Sequence, residues 1–417
     1  MRSATEGTIG QVGNKSARSP LFPETNLTVA GNFSLTRGGP FHHLLALVGP
    51  ADSERRQVLN RALIATFVCW VPLLVLTFAQ GLAVGTKATI PFLLDYAVHL
   101  RFLIALPILI LAESSIDRRW SMLALEFIRS GLVVESERAP YEAVIQRIMR
   151  LRDRVLPELV MLAIAYLAPL FLGRTEFLFV NGITSWHTLG ADTQELSLAG
   201  WWFRVVSAPV FRFLLLRWIW RMFLWTLFIW RVSKIRLYLV ATHTDLAAGL
   251  GFLSEGQKAY SPIVFAGGTV IAGSVLNAIR YEGETLGSLK FAMIAYGVLA
   301  IIVLVVPLLV VTPVLIGVKR KALREYGGLV TRHNQAFDQK WIGDKHVEGE
   351  KILGNPDPSS LTDLGTSFDV VRRMGIVPVD KPTLVALALA AALPMLPVVL
   401  LVTPASTIVH AVLKMLG

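Results

Sequence analysis

The sequence predicts an all-α, polytopic transmembrane helix bundle of about seven spans, with helical segments on its cytoplasmic side. Three observations predict it. Of 417 residues 54% are hydrophobic and 17% charged, and the mean hydropathy of +0.58 lies beyond soluble usage. Seven segments are apolar and long enough to cross, against a norm of ~20 residues per span: 62–84, 91–113, 155–173, 202–230, 261–280, 290–316 and 383–403. The basic residues gather in alternate loops, so the net charge of +11 reads as membrane orientation and not as a nucleic-acid surface.

Residues 1–38 are polar, small and proline-bearing, with Arg2 and Lys15 but no apolar run behind them. They read as a disordered tail, not a signal peptide. Residues 39–60 form a cytoplasmic or interfacial segment. Its run GPFHHLLALVGP (39–50) is too short to span. Spans one to six fill 61–317, interrupted by a cytoplasmic helical hairpin at 114–154, in which Ser115 to Gly131 and the stretch from Pro140 into the third span read as helices. In the cytoplasmic segment 318–382, VKRKALREYGGL continues the sixth span. There NPDPSSLTDLGTSFDVVRRM offers Asp357 as N-cap, Pro358 at the first helical position, and an apolar stripe of Leu361, Leu364, Phe368 and Val371. Residues 383–417 hold the last span, broken by Pro394 and Pro397, and a C-terminal tail.

With the first span leaving the cytoplasm, the inside segments hold 7, 8, 4 and 11 Lys or Arg, 30 of the 40 in the chain. That split predicts a cytoplasmic N-terminus. Five arginines fall within spans: Arg101, Arg204, Arg212, Arg217 and Arg221. At ~1.5 Å per residue, Arg101 and Arg212 lie near mid-membrane and Arg217 and Arg221 toward the inner third. Carboxylates at matching depth propose partners: Asp95 for Arg204 or Arg212, and Glu113 and Glu158 for Arg217 and Arg221. Five arginines against three carboxylates leave an excess of two positive charges. A central arginine costs ~2.5–3.5 kcal/mol or more to insert, so such an excess belongs against water, a bound anion or lipid phosphate. The competing reading is that Arg217 and Arg221 snorkel to headgroups beside the tryptophans at 218, 220, 225 and 230. A voltage sensor is disfavoured because 212, 217 and 221 do not recur along one stripe. His99 follows Asp95 by one turn, so the pair can pass a proton or hold the imidazole tautomer.

The loop RVSKIRLYLVATHTDLAAGLGFL supplies His243 and Asp245, two ligands without a third or fourth, and Gly249 with Gly251. These read as a tight structural turn, with a gate or ligand loop as the alternative, and as no metal site. Thr242 and Asp245 are candidates to cap a short helix. Gly267, Gly268, Ala272 and Gly273 allow a close helix approach, within the chain or between subunits of a homo-oligomer. The single cysteine, Cys69, excludes an intramolecular disulfide, and no catalytic or cofactor motif occurs.

The runs FLLLRWIWR and THTDLAAGLGFL, with VHLRFLIALPILILAE and SLTDLGTSFDVVRRM, resemble a group of uncharacterised bacterial integral membrane proteins over most of the chain after residue 40. A proline usually stands in that group where this chain has Thr244. The resemblance implies the bacterial inner (plasma) membrane and brings no activity with it. The residues themselves favour a channel or transporter for an anionic solute, with Arg101, Arg212, Arg217 and Arg221 lining the path and Asp95, His99, Glu113 and Glu158 as charge or proton partners. The alternatives are a non-transporting scaffold or sensor whose cytoplasmic helices bind a partner, and a lipid-modifying enzyme using His99 or His243. The expected surroundings are the lipid bilayer and a small anion, without cofactor or nucleic acid.

Overall fold

An apolar run inside a bilayer must satisfy its own N–H and C=O groups, which a helix does within one segment. In the computed structural model, which describes residues 28–39, 54–85, 87–171, 185–189, 195–343 and 351–402, the chain is helical, and extended residues meet only as isolated bridges. The helices are α1 (Glu54–Gln80), α2 (Tyr96–Arg129), α3 (Arg138–Arg152), α4 (Val155–Phe171), α5 (Leu198–Val232), α6 (Phe252–Lys258), α7 (Ser261–Tyr281), α8 (Leu286–Leu309), α9 (Thr312–Trp341), α10 (Asp357–Arg373) and α11 (Lys381–Val402).

Among the described residues six stretches are long and apolar enough to cross a membrane: α1 to within a residue, α2, α5, α6 with α7, α8 and α11. The remaining expected span, the third at 155–173, is α4. It has 17 residues, about 25 Å of rise, at the lower limit for crossing. Residues 172 and 173 of that expected span lie outside the described residues, as do residues 40–53 and the tail after Val402. Lipid-facing side chains stand out along the crossing helices, with Phe67, Phe291 and Leu401 each more than half exposed.

The structure moves several boundaries. The second span and the first half of the hairpin are one helix, α2, because the sequence from Leu106 to Arg129 contains no residue that stops it. The sixth span does not run on into 318–382. It ends at Leu309, and α9 begins at Thr312 with Pro313 in its first turn, where the missing N–H has no helical acceptor to lose. Asp357 is the first residue of α10 and not its cap. Its carboxylate instead accepts from Lys340 Nζ at 2.8 Å and Trp341 Nε1 at 3.0 Å, which fastens α10 back onto α9. The stripe of Leu361, Leu364, Phe368 and Val371 is half-buried to buried, with Phe368 against Gly327 of α9. In α11 the prolines produce one 3-10 turn, Leu393–Met395, and the helix resumes at Leu396.

Two crossing helices contain a wide π turn: Leu100–Ala105 in α2 and Phe203–Ser207 in α5. Each is followed within two residues by a proline, Pro107 and Pro209. Proline lacks a donor and crowds the carbonyl four residues back, and one extra residue in the preceding turn moves that carbonyl aside.

Small residues set the tightest crossings, and they do so within the chain. A Cβ on Gly273 of α7 would sit 2.8 Å from Ala97 Cα of α2, and one on Gly268 3.0 Å from the Ala391 carbonyl oxygen of α11. The backbones of α2 and α5 instead stay apart below their π turns, and long side chains fill the wedge between them.

Candidate functional site

That wedge holds the charges. Arg217, Arg221 and Trp225 recur every four residues on one face of α5, and Glu113 and Trp120 lie seven apart on one face of α2, so the two columns oppose each other. Arg221 Nη1 donates to Glu113 Oε1 at 2.8 Å, and Arg217 Nη1 lies 3.8 Å from the same oxygen. The pair expected from depth, Glu113 with Arg217 and Arg221, is therefore in contact. All three are buried, and the Arg221 guanidinium also stacks over Trp218 at 4.9 Å. Arg61 of α1 lies within electrostatic reach of both Glu113 and Arg217, and Glu158 within reach of Arg217. A cavity of about 320 Å³ opens beside this cluster, lined among others by Thr36, Arg37, Gln57, Arg61, Glu113 and Ser114.

Part of the expected disordered tail closes one wall of that cavity. Residues 28–38 are seated on α2 and α3, because Asp117, one turn beyond Glu113, offers an acceptor the backbone can use. Its carboxylate, 2% exposed, accepts from Ser34 Oγ at 2.7 Å, Leu35 N at 2.9 Å and Thr36 N at 3.1 Å, and Arg37 Nε lies 3.5 Å away. Arg152 Nη1 donates to the Ser34 carbonyl at 2.6 Å, Ser121 donates to the Phe33 carbonyl, and the fully buried Phe33 ring packs on Phe228 at 4.8 Å.

The other end of α2 corrects the remaining pairings. Asp95 meets neither Arg204 nor Arg212. Its oxygens accept from Trp186 Nε1 and Asn277 Nδ2, both at 2.8 Å, and from Val98 N at 3.2 Å. Three neutral donors already satisfy the carboxylate there. His99 is likewise turned away from the Asp95 carboxylate: Trp70 Nε1 donates to His99 Nδ1 at 3.0 Å, which leaves that nitrogen unprotonated, and the ring rests edge-on against Phe92 at 5.2 Å. Arg212 Nη1 donates to the Ala165 carbonyl of α4, Arg101 lies over the Phe211 ring at 5.8 Å, and Arg204 is exposed.

Below the Glu113 bridge lies a group of buried polar atoms: Arg221 Nη2, Trp225 Nε1 and both ends of the Gln257 amide make no hydrogen bond, and the Trp120 indole N–H faces Tyr260 Oη. Trp120 stacks on Trp225 at 6.0 Å and meets Tyr260 edge-on at 5.9 Å, while the six-membered edge of the Trp225 indole faces Gly256, next to Gln257. The group is rich in N–H and O–H donors and poor in acceptors.

The 243–251 loop is a turn wound around one carboxylate. Asp245 accepts from Ala247 N, Gly249 N and Gly251 N at 2.8–3.1 Å, and His243 Nδ1 lies 2.8 Å from Asp245 Oδ1. Leu246 and Ala248 adopt left-handed φ of 56° and Gly249 of 94°, so the turn carries strain at two residues that have a Cβ. Among the described residues no group of three metal-ligating side chains occurs. Burial raises the Asp245 carboxyl, but the three backbone donors and His243 together hold it below the usual range. A lowered folded value contributes stability above the unfolded value near ~3.9 and loses it as pH falls further. Wild type is therefore expected to lose thermal stability between about pH 4 and pH 3 more steeply than Asp245→Asn, measured as melting temperature against pH.

Asp117, Arg61, Asn277, Trp186 and the Gln257–Tyr260 group escape a reading by hydropathy. Asp117 has a signal, one turn after Glu113 on the same face, and Asn277 has one, an amide within an apolar span. Trp186 reaches Asp95 from a loop and has none. No family model matches the chain, and neither does a curated protein or a solved structure.

Proposed function

We propose that this integral membrane protein carries an anionic solute, and that the solute passes the arginines of the wedge between α2 and α5. The observation that supports the reading is the concentration of positive charge at Glu113: two buried guanidiniums meet its carboxylate, Arg61 and Glu158 lie within electrostatic reach, and the cavity beside them is lined by Arg37 and Arg61. Asp95 relieves none of it, since its lone pairs go to Trp186 and Asn277. Below the bridge, the N–H donors of Trp225 and Gln257 lack acceptors, which an anion supplies. Stacking of Trp120 on Trp225 across the wedge favours a carrier over an open pore. Arg101 and Arg212 line the path toward the Asp95 end.

Purified protein in liposomes is expected to pass small anions such as chloride, nitrate or phosphate, and Arg212→Ala or Arg101→Ala to lower the flux about tenfold or more, the scale of losing one charged contact. Flux at protein-free levels, or unchanged flux in both variants, removes the reading. The partner-binding scaffold keeps one supporting observation: α9 and α10 form a hairpin whose end exposes Ile342, Ile352 and Leu353. It predicts no flux, and a co-purifying partner lost on deletion of 355–375.

A further inference from the structure

A second basic cavity, about 460 Å³, lies away from the wedge, between α3, the start of α4 and the end of α5. Its polar lining consists of four arginines, Arg147, Arg150, Arg154 and Arg231, and its walls are the apolar side chains Ile148, Leu151 and Leu227. None of these lining residues is acidic. Arg147 and Arg150 lie three apart on one face of α3, Arg154 joins them from the turn between α3 and α4, and Arg231 closes the cavity from the last turn of α5. The Arg231 Nε is buried and has no hydrogen-bond partner.

The depth of this cavity is marked from both sides. Directly after Arg154, α4 opens with Val155 and Leu156, 53% and 69% exposed, which belong against acyl chains. Next to Arg231, the partly exposed Trp230 carries Arg231 at 5.7 Å and Lys234 at 5.9 Å over its ring, an aromatic at headgroup level with cations beside it. A pocket at that level with four guanidiniums, an apolar floor and no acid fits a phosphate attached to an acyl-bearing body. We infer that Arg147, Arg150, Arg154 and Arg231 bind the headgroup phosphate of an anionic phospholipid, with forked guanidinium contacts to its oxygens and the acyl chains running along α4. The site is independent of the anion path, and its readout is lipid retention and not flux.

The full chain, delipidated in a nonionic detergent, is titrated with phosphatidylglycerol, with diphosphatidylglycerol and separately with inorganic phosphate, and bound lipid and melting temperature are followed. Both anionic lipids are expected to bind and raise the melting temperature, the two-phosphate lipid more. Affinity is expected to fall about fivefold for each arginine removed in Arg147→Gln and Arg154→Gln. Arg147→Lys with Arg154→Lys, which keeps the charge and guards against a folding defect, is expected to retain most of the binding in low salt. The inference is overturned by equal binding in wild type and the glutamine variants, or by an equal loss in Arg118→Gln with Arg119→Gln, which lie outside the cavity. It is also overturned if inorganic phosphate alone reproduces the stabilisation, which would make the cavity a site for the free ion.

Discussion

Glu113→Gln is expected to destabilise the protein by about 3–5 kcal/mol, the scale of stranding buried charge by removing its partner. The carboxylate is the acceptor for Arg221 at 2.8 Å and a counter-charge to Arg217 at 3.8 Å, and all three are buried. Neutralising it leaves two guanidiniums side by side in a low-dielectric wedge. Removing Arg221 as well should restore part of the loss, because one guanidinium and not two then lacks the Glu113 counter-charge. The measurement is denaturant unfolding in detergent for Glu113→Gln, Arg221→Met and the double variant, read as a double-mutant cycle. Additive effects would mean that the bridge contributes no coupling, and the charge argument for the wedge would lose its basis.

Asp117→Ala is expected to free residues 28–39 from the bundle without unfolding it. One carboxylate holds two backbone amides, a hydroxyl and Arg37, and each such charge-assisted bond contributes ~1.5–3 kcal/mol before compensation by water. A net loss of about 3 kcal/mol corresponds to local opening more frequent by a factor of roughly 100. Hydrogen exchange of the Leu35 and Thr36 amides should accelerate on that scale while amides in α2 and α7 keep their protection. Trypsin should then cut after Arg37 faster than in the wild type, where Asp117 holds the segment in place. Exchange unchanged at Leu35 and Thr36 would show that the Phe33 ring on Phe228, and not Asp117, seats the segment.

The spans were legible because hydropathy over ~20 residues is a sum, and a sum tolerates local surprises. The bridge at Glu113 was legible for a related reason, since depth along a helix follows from counting residues and burial of arginine demands a counter-charge. What escaped is whatever depends on which way a side chain points. Level along the spans matches Asp95 to Arg204 or Arg212, yet Asp95 faces Asn277 of α7 and a tryptophan delivered by a loop. His99 shares a turn with Asp95, yet its ring belongs to Trp70 of α1. The docking of residues 28–38 was hidden because a short polar stretch carries no periodicity of its own. It folds onto acceptors that other elements present. The boundary between α8 and α9 turned on Pro313, which the apolar run around it disguised.

The wide turn at Leu100–Ala105 has one further consequence, for helical phase. Counted from Asp95, the cap just before α2, Glu113 is eighteen positions on, about five whole turns of an ideal helix, so an uninterrupted α2 would bring the second acid back to the side of the first. A single surplus residue in one turn rotates everything after it by about 100°. The first acid is thus delivered to α7 and the second to α5, and one helix serves two differently charged neighbourhoods without a kink sharp enough to end it.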